Sequence, residues 1–241
     1  MKAIRIKAWQ TMASYRMPMS FIIKESYPLP PYSTVIGMVH AACGFKDYVP
    51  MAVSIQGNGY SSVAELYTKY DFNPGINYEP GRHQIEIPSG NQSRGVTRGA
   101  GKVELVVDVE LLLHVRTHDE SKLDEVLSGL QNPVNYLSLG RWEDLLRLDS
   151  VEIVEVYDKM LDNTFQLPYN AYVPLHIEKQ YKSEAIWEGS VYTLNKEYAV
   201  DPLTKFRRWS KVRAIYASRN SFVTEDESFP MDAEGFPVFF A

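Results

Sequence analysis

The chain has 241 residues, of which 45% are apolar and 23% are charged, and its formal net charge is -5. This ordinary composition excludes a disordered tail, a collagen-like fibre and a disulfide-bonded scaffold, since Cys43 is the only cysteine. The sequence contains no apolar targeting or membrane-spanning segment, so we expect a cytoplasmic protein with no membrane partner.

The acidic charge is unevenly distributed. Residues 1–60 have a net charge of +4, whereas residues 120–160 have -5. Residues 205–219 contain six basic groups and no acidic one, and residues 225–241 contain five acidic groups and no basic one. Because salt screens charges beyond about 8–10 Å, a polyanion responds to a local patch rather than to the net charge. A nucleic-acid partner is therefore compatible with the composition.

The first predicted element is a strand over residues 2–9, where apolar and polar side chains alternate. An irregular stretch rich in Met, Tyr, Pro and Ser follows. Ser33 then has the position of an N-cap for a helix that runs to about Cys43 and ends at Gly44. A second strand is predicted over Val49–Gln56.

Residues 57–102 are predicted to be an insertion rich in Gly, Asn, Pro and Tyr. Its segment 89–102 contains four glycines and no large apolar residue, so we expect a loop that is mobile when free. Residues 82–102 carry a net charge of +3, which suits an arm that orders against a nucleic-acid backbone. A solvated charged loop is an equally good interpretation. The basic residues are Arg82, Arg94, Arg98 and Lys102.

The remaining elements complete the predicted fold. Val103–Val115 has the strongest strand pattern. Thr117-His118-Asp119-Glu120 is a predicted capping box, opened by Thr117, and the helix that it begins is expected to end at Asn132-Pro133. Val151–Tyr157 is the next predicted strand. The order of strands and helices predicts an α+β fold, a ferredoxin-like βαββαβ domain over residues 1–160. Residues 161–241 are predicted to be a β-rich C-terminal subdomain. Its strands are expected at Asn170–Ile177, Ser190–Tyr198 and Lys211–Ala217.

The segment 27–44 is the first candidate for a nucleic-acid contact. Three prolines stiffen the approach to the helix start, where the hydroxyls of Ser33 and Thr34 lie beside free backbone N–H groups. Such an arrangement suits a phosphate. The alternative is an ordinary capped helix after a rigid loop.

The segment 136–145 is the second candidate. It contains Gly140 and Arg141 in a predicted tight turn, with Trp142 adjacent. Arginine can bind a phosphate with two hydrogen bonds, and tryptophan can stack on a base. The alternative is a surface turn in which Arg141 pairs with Glu143 or Asp144.

The basic run Lys205–Arg219 also contains Phe206, Trp209 and Tyr216. It could follow a nucleic acid or lie against an acidic partner. If it is a strand, its charges divide between two faces, and it could equally be a solvated sheet face.

Catalytic patterns are weak. The sequence has no phosphate-binding loop of the Walker or dinucleotide type, and its histidines and Cys43 show no metal-ligand spacing, so we expect no cofactor and no metal. Cys43 lies among apolar neighbours, which favours a structural thiol. A metal-free ribonuclease could use His114 with a tyrosine as general acid and base.

The segments 27–44 and 136–145 together resemble the CRISPR-associated RAMP proteins of the fifth numbered family, which cap the crRNA 5′ handle in type I Cascade complexes. The form PPYSTVIG and the length are most similar to the type I-B branch. The resemblance covers most of the first 160 residues and implies a RAMP domain in which residues 57–102 are a thumb-like insertion.

The resemblance also implies a non-catalytic RNA-binding role in antiviral defence. The implied partners are crRNA, the backbone RAMP and large subunits of Cascade, and target DNA near its PAM-proximal end. The residues expected to contact RNA are Arg16, Ser33, Thr34, Arg82, Arg94, Arg98, Lys102, Gly140, Arg141 and Trp142.

Two other functions remain open. One branch of the family, type I-C, is itself the crRNA-processing nuclease and uses Tyr, Lys and His. Here the residues are His114-Val115-Arg116, without an adjacent Lys-His pair, and this departure from the pattern argues against nuclease activity. A metal-independent endoribonuclease is therefore kept only as the alternative. The third hypothesis is a protein–protein adaptor that docks through its acidic residues 120–160 and its acidic C-terminal tail.

Overall fold

A computed structural model describes residues 1–180, 187–223, 225 and 228–241. The fold is a mixed one, with many antiparallel strands and few helices. The elements in chain order are β1 (Lys2–Ala13), α1 (Tyr32–Cys43), β2 (Met51–Asn77), β3 (Ile85–Ser89), β4 (Gln92–Thr117), a short 3₁₀ helix (Glu120–Lys122), α2 (Leu123–Gln131), β5 (Arg147–Met160), β6 (Phe165–Gln166), β7 (Asn170–Pro174), α3 (Leu175–Gln180), β8 (Gly189–Val200), β9 (Arg207–Ala217), β10 (Phe222–Val223) and β11 (Ser228–Asp232).

Nine strands of the described residues form one sheet, in the order β11-β5-β1-β4-β2-β7-β9-β8, with β3 beside β4. The neighbouring strands run antiparallel. The alternation in β1 buries Ile4 and Ile6 in the main core, together with Val35 and Val39 of α1. The described residues contain no helix that is long and apolar enough to cross a membrane.

The predicted first strand and first helix are present, but the predicted N-cap is wrong. Pro31 is the N-cap of α1, and no side chain caps the helix. The Pro31 carbonyl accepts hydrogen bonds from the N–H groups of Thr34 and Val35, so Ser33 already lies inside the first turn. The proline ring fixes φ at a value that suits a helix start. Gly44 ends the helix in the left-handed conformation, as predicted.

The second predicted cap is also displaced. Thr117 is the last residue of β4, paired with Met51 and buried, so it cannot begin a helix. Asp119 takes the role instead, and its carboxylate accepts a hydrogen bond from the Ser121 N–H at 3.0 Å. Helix α2 then ends at Gln131, next to the Asn132 that was predicted to stop it.

The prediction of a loop over residues 89–102 is wrong, because strand β4 begins at Gln92. β2 and β4 pair in one register from Met51–Thr117 to Phe72–Val96, and their outer part, residues 61–107, is a long hairpin that we call the arm. Gly101 lies opposite Tyr67, and a Cβ on Gly101 would come within 2.5 Å of the Tyr67 ring. At this position glycine makes room for a large cross-strand neighbour, so it does not indicate a loop.

The predicted C-terminal strands are present as β7, β8 and β9, with one correction. The first of them ends at Pro174 instead of Ile177, and α3 follows directly. Proline lacks the N–H that would continue the ladder.

The C-terminal segment 228–241 folds onto the sheet face opposite the main core. β11 pairs with β5, and the Ala241 backbone exchanges two hydrogen bonds with Val53. Here the fully buried Arg5 of β1 donates to Glu152 at 2.7 Å and to Asp232 at 2.8 Å, and it also pairs with Glu234. Two acids of the predicted acidic tail therefore hold β1 and are not free for a partner. Asp226 and Glu227 of that tail lie outside the described residues.

Candidate nucleic-acid interface

Three of the predicted RNA contacts lie on one face of the arm. Arg94, Arg98 and Lys102 are spaced four residues apart in β4, so the period of two directs them to the same side. Lys102 lies opposite Leu66, and Arg98 lies opposite Tyr70. The arm therefore has a face on which cations alternate with exposed apolar side chains.

These apolar side chains are unusually accessible. Leu66 is 68% exposed, Tyr70 is 46% exposed and Phe72 is 64% exposed. Among the described residues, no carboxylate lies within 4 Å of the side-chain nitrogens of Arg98 or Lys102. Aromatic faces and unpaired cations are the groups that stack on bases and bind phosphates of single-stranded nucleic acid.

Lys24 lies close enough to three other cations to interact with them electrostatically, and we call the four the root cluster: Arg16, Lys24, Lys69 and Arg141. Burial lowers the pKa of Lys24, and the nearby positive charges of the other three lower it further. The Lys24 ammonium donates to the Tyr67 hydroxyl and lies 4.4 Å from the centre of its ring. Two of the cations have acidic partners: Lys69 pairs with Asp71 at 2.8 Å, and Arg141 with Asp144 at 2.8 Å.

The predicted turn at Gly140 is present. Gly140 has φ 114°, and a Cβ there would come within 2.9 Å of the Ser14 carbonyl oxygen, so both its conformation and its packing favour glycine. The turn is fixed to β1 by Gln10, whose amide donates to the carbonyls of Leu139 and Asp144 at 2.9 Å. The Tyr15 hydroxyl in turn donates to Gln10 at 2.7 Å.

Arg141 adopts the pairing that the alternative interpretation predicted. Its guanidinium makes two hydrogen bonds to the buried Asp144, lies 3.1 Å from Glu143 and lies 3.8 Å from Glu65 of β2. Those hydrogen bonds to Asp144 raise the pKa of Arg141. The neighbouring Trp142 is 86% exposed. The Arg141 side chain is therefore engaged in ion pairs that fix this turn, and Trp142 is its exposed side chain.

The other predicted contacts lie elsewhere. Arg82 is in the turn before β3 and pairs with Glu79 at 3.1 Å. Ser33 and Thr34 are half-buried in the first turn of α1, and Ser33 lines a pocket shared with β8 and β9. The structure therefore brings Arg16 and Arg141 together at the root and Arg94, Arg98 and Lys102 together on the arm.

His114 is fully buried, and its Nε2 lies 3.2 Å from the Asp232 carboxylate. Burial lowers the pKa of His114. A phosphodiester could not reach this ring, so the pairing with Asp232 gives His114 a structural role.

Cys43 has the structural environment that the sequence favoured. It packs against Gly129 of α2, where a Cβ would approach its Sγ to 2.6 Å. Burial raises the pKa of the Cys43 thiol to about 11, which disfavours the reactive thiolate. The part of the chain that the structure describes contains no His/Cys/Asp/Glu cluster suited to a metal ion.

Sequence reasoning missed Lys24 and Lys69. Lys69 lies in residues 63–72, where β-branched and aromatic residues are frequent and predict a strand. The strand that pairs with them is rich in glycine, a composition that predicts a loop, so the hairpin was not predicted. Lys24 has φ 54° in an irregular stretch, and its approach to Tyr67 is a tertiary contact without a local pattern.

Comparison with known proteins identifies the family. The sequence model of the family described as "CRISPR-associated protein (Cas_Cas5)" matches residues 3–215. No curated protein sequence matches the chain significantly.

A search of solved structures returned chains that match this one. One, described as a "CRISPR RNA-guided surveillance complex", has a TM-score of 0.54 and 16% identity, covering 93% of this chain and 91% of the other. A crystal structure of a CRISPR protein from Archaeoglobus fulgidus has a TM-score of 0.45 and 16% identity, covering 99% and 98%. Since the family model spans nearly the whole sequence, the chain belongs to the Cas5 family of CRISPR-associated proteins.

Proposed function

We propose that this chain is a non-catalytic RNA-binding subunit of a CRISPR type I surveillance complex of the I-B kind. In this proposal it caps the crRNA 5′ handle and docks the large and backbone subunits near the PAM-proximal end of the target DNA, in the cytoplasm. Family membership supports a role in CRISPR defence. Similarity in fold to a chain of an RNA-guided surveillance complex supports an assembly that contains RNA.

The root cluster is the observation that carries the RNA-binding proposal. Burial is the first cause of the lowered pKa of Lys24, and repulsion by the positive charges of Arg16, Lys69 and Arg141 is the second. A bound phosphate would relieve this repulsion. The exposed Trp142 beside the cluster supplies one stacking surface, and the basic, aromatic face on the opposite side of the arm supplies a second.

We also propose that residues 1–160 form a ferredoxin-like RAMP domain and that residues 161–241 are a C-terminal subdomain. Leaving out β3 and the 3₁₀ helix, the first elements follow in the order β1, α1, β2, β4, α2, β5. Their four strands lie in the order β5-β1-β4-β2, all antiparallel. Both observations support the ferredoxin-like arrangement.

Replacing Lys24 tests the proposal by two measurements, the free energy of unfolding and the affinity for RNA. Lys24→Gln removes one charge from the root cluster, so we expect the free energy of unfolding to stay the same or to rise. The affinity for a fluorescent 5′-handle RNA should fall about threefold to tenfold, since one phosphate contact is lost. Lys159→Gln, an exposed lysine on β5, is the matched control and should change neither. Unchanged RNA affinity in Lys24→Gln would contradict the root cluster as the contact.

The burial of His114 supports a non-catalytic role. Incubation of the protein with labelled precursor crRNA in EDTA tests this directly, and we expect intact RNA. Cleavage at a single site would support the endoribonuclease instead.

A further inference from the structure

The pocket that Ser33 lines lies between α1 and the outer strands β8 and β9. Its volume is about 350 Å³, within the roughly 300–1,000 Å³ range of small-ligand pockets. Two ring pairs line it. His40 and Tyr48 stack with centroids 5.5 Å apart and planes 10° apart, and Tyr198 and Trp209 have centroids 5.1 Å apart.

The rings on the α1 side are held in place. The ring nitrogens of His40 bond to the Ile36 carbonyl at 2.9 Å and to the Val49 N–H at 3.0 Å. The Tyr48 hydroxyl donates to Glu197 of β8 at 2.7 Å. Rings fixed in this way lose little entropy when a planar ligand stacks on them.

The rings on the β8–β9 side are accessible and carry a cation. Tyr198 is 46% exposed and Trp209 is 36% exposed. The guanidinium carbon of Arg207 lies 4.4 Å from the centre of the Tyr198 ring. Nothing in the core requires these rings, because the buried apolar face of this hairpin is formed by Leu194 and Ala214.

A row of cations extends along β9 from Trp209, the β9 residue that lines the pocket. Trp209, Lys211 and Arg213 alternate along the strand and therefore share a face, with about 6.6 Å between successive members. Lys211 and Arg213 are exposed, and among the described residues no carboxylate lies within 4 Å of their side-chain nitrogens. By contrast, Arg208 points to the other face and pairs with Asp201.

We infer that this surface is a second nucleic-acid contact: the pocket takes one unstacked base of a single strand, and Lys211 and Arg213 bind the adjoining phosphates. Exposed rings beside a row of unpaired cations are the combination that single-stranded nucleic acid requires. An aromatic side chain of a protein could enter the pocket, but it would leave the cationic row without anions. This contact adds to the proposed function and does not depend on the root cluster.

Titration of labelled single-stranded RNA and of DNA of the same sequence with the full chain tests the inference. Trp209→Ala should weaken binding of at least one of the two about tenfold, because base stacking on a tryptophan is lost. Trp209→Phe should restore most of the affinity, since it keeps a ring. Lys211→Glu should weaken binding and flatten its salt dependence. The matched controls on β5, Tyr157→Ala and Lys159→Glu, should bind as the unmodified protein does.

Wild-type affinity for both strands in Trp209→Ala would overturn the inference, provided circular dichroism shows the same thermal midpoint. Arg98→Ala and Lys24→Gln in the same assay separate this result from a failure of the proposed function. If only those two variants bind more weakly, the arm and the root cluster are the RNA-binding surface and the inferred contact on β9 is wrong. Trp209→Phe as weak as Trp209→Ala, with intact folding, would also overturn the stacking role.

Discussion

Arg5 shows how a single buried charge can be stabilised in this fold. Its guanidinium meets three carboxylates, of which Asp232 is itself fully buried and also bonded to His114. Burial alone would raise the pKa of Asp232, but hydrogen bonds from His114, the Phe236 N–H and Arg5 outweigh it and lower that pKa. Removing one partner would leave an uncompensated buried charge, a loss of about 3–5 kcal/mol in other proteins.

The same residues predict acid sensitivity. Burial lowers the pKa of His114 in the folded chain, so the unfolded chain, with an ordinary pKa of about 6.5, binds the proton more readily. The free energy of unfolding should therefore decrease as the pH falls below about 6.5. Because the folded pKa of Asp232 is also lowered, its contribution should be lost only below about pH 4.

Urea unfolding between about pH 7.5 and pH 5.5 measures the His114 contribution. His114→Gln should be less stable at pH 7.5 and show a weaker pH dependence, whereas the exposed His118→Gln should behave as the unmodified protein does. An equal pH dependence in His114→Gln would show that another group is responsible.

At the scale of elements, the arm is separable from the core. The inner halves of β2 and β4 carry the buried residues Val53, Ile55, Leu111 and Leu113, whereas most side chains beyond Ser61 are exposed. Since an outer hairpin adds little buried apolar area, its removal should cost little stability.

Excision of the arm tests this separation. Ala64 and Glu104 are directly paired, so an Asn-Gly turn can join them without changing the register. We expect a thermal midpoint within a few degrees of the full chain and a loss of handle-RNA affinity of tenfold or more. A variant that unfolds would show that the arm belongs to the core, and one that binds RNA normally would remove the arm from the interface.

The sequence predicted the elements whose pattern is local. Alternation located β1, β4 and β5, and the stop signals Gly44 and Asn132 located the helix ends. The arm could not be predicted in this way, because Gly101 makes room for Tyr67, a cross-strand neighbour that is distant in sequence. The same limit applies to the site. Arg141 was predicted from the sequence pattern of its turn. Its partner Glu65 and the neighbouring Lys24 approach it only in the folded sheet, so no local pattern predicts them.

At the scale of the whole molecule, the net charge of -5 conceals several cationic surfaces. The C-terminal acids neutralise Arg5 and Lys7 of the basic N-terminal block, so that block does not act as one RNA-binding patch. Among the described residues, the cations with no carboxylate within 4 Å include Arg16 and Lys24 at the root, Arg98 and Lys102 on the arm, and Lys211 and Arg213 on β9.

The salt dependence of RNA binding should reflect this distribution. Each neutralised phosphate contributes about 0.7 to the slope of log K against log salt concentration for a single strand. Replacing Arg98 and Lys102 together by Ala should lower the slope by about 1.4, whereas Arg5→Gln should change stability and not the slope. Filter binding at several salt concentrations measures both, and an unchanged slope in the double variant would exclude these side chains as phosphate contacts.

The C-terminal segment also determines when the chain can finish folding during synthesis. Arg5 and His114 are translated early, but Asp232 is made only after more than a hundred further residues. Until residues 228–241 leave the ribosome, the centre of the sheet contains a cation without its buried partner and an uncovered face. The nascent protein should therefore remain incompletely folded and sensitive to proteases until this segment has left the ribosome.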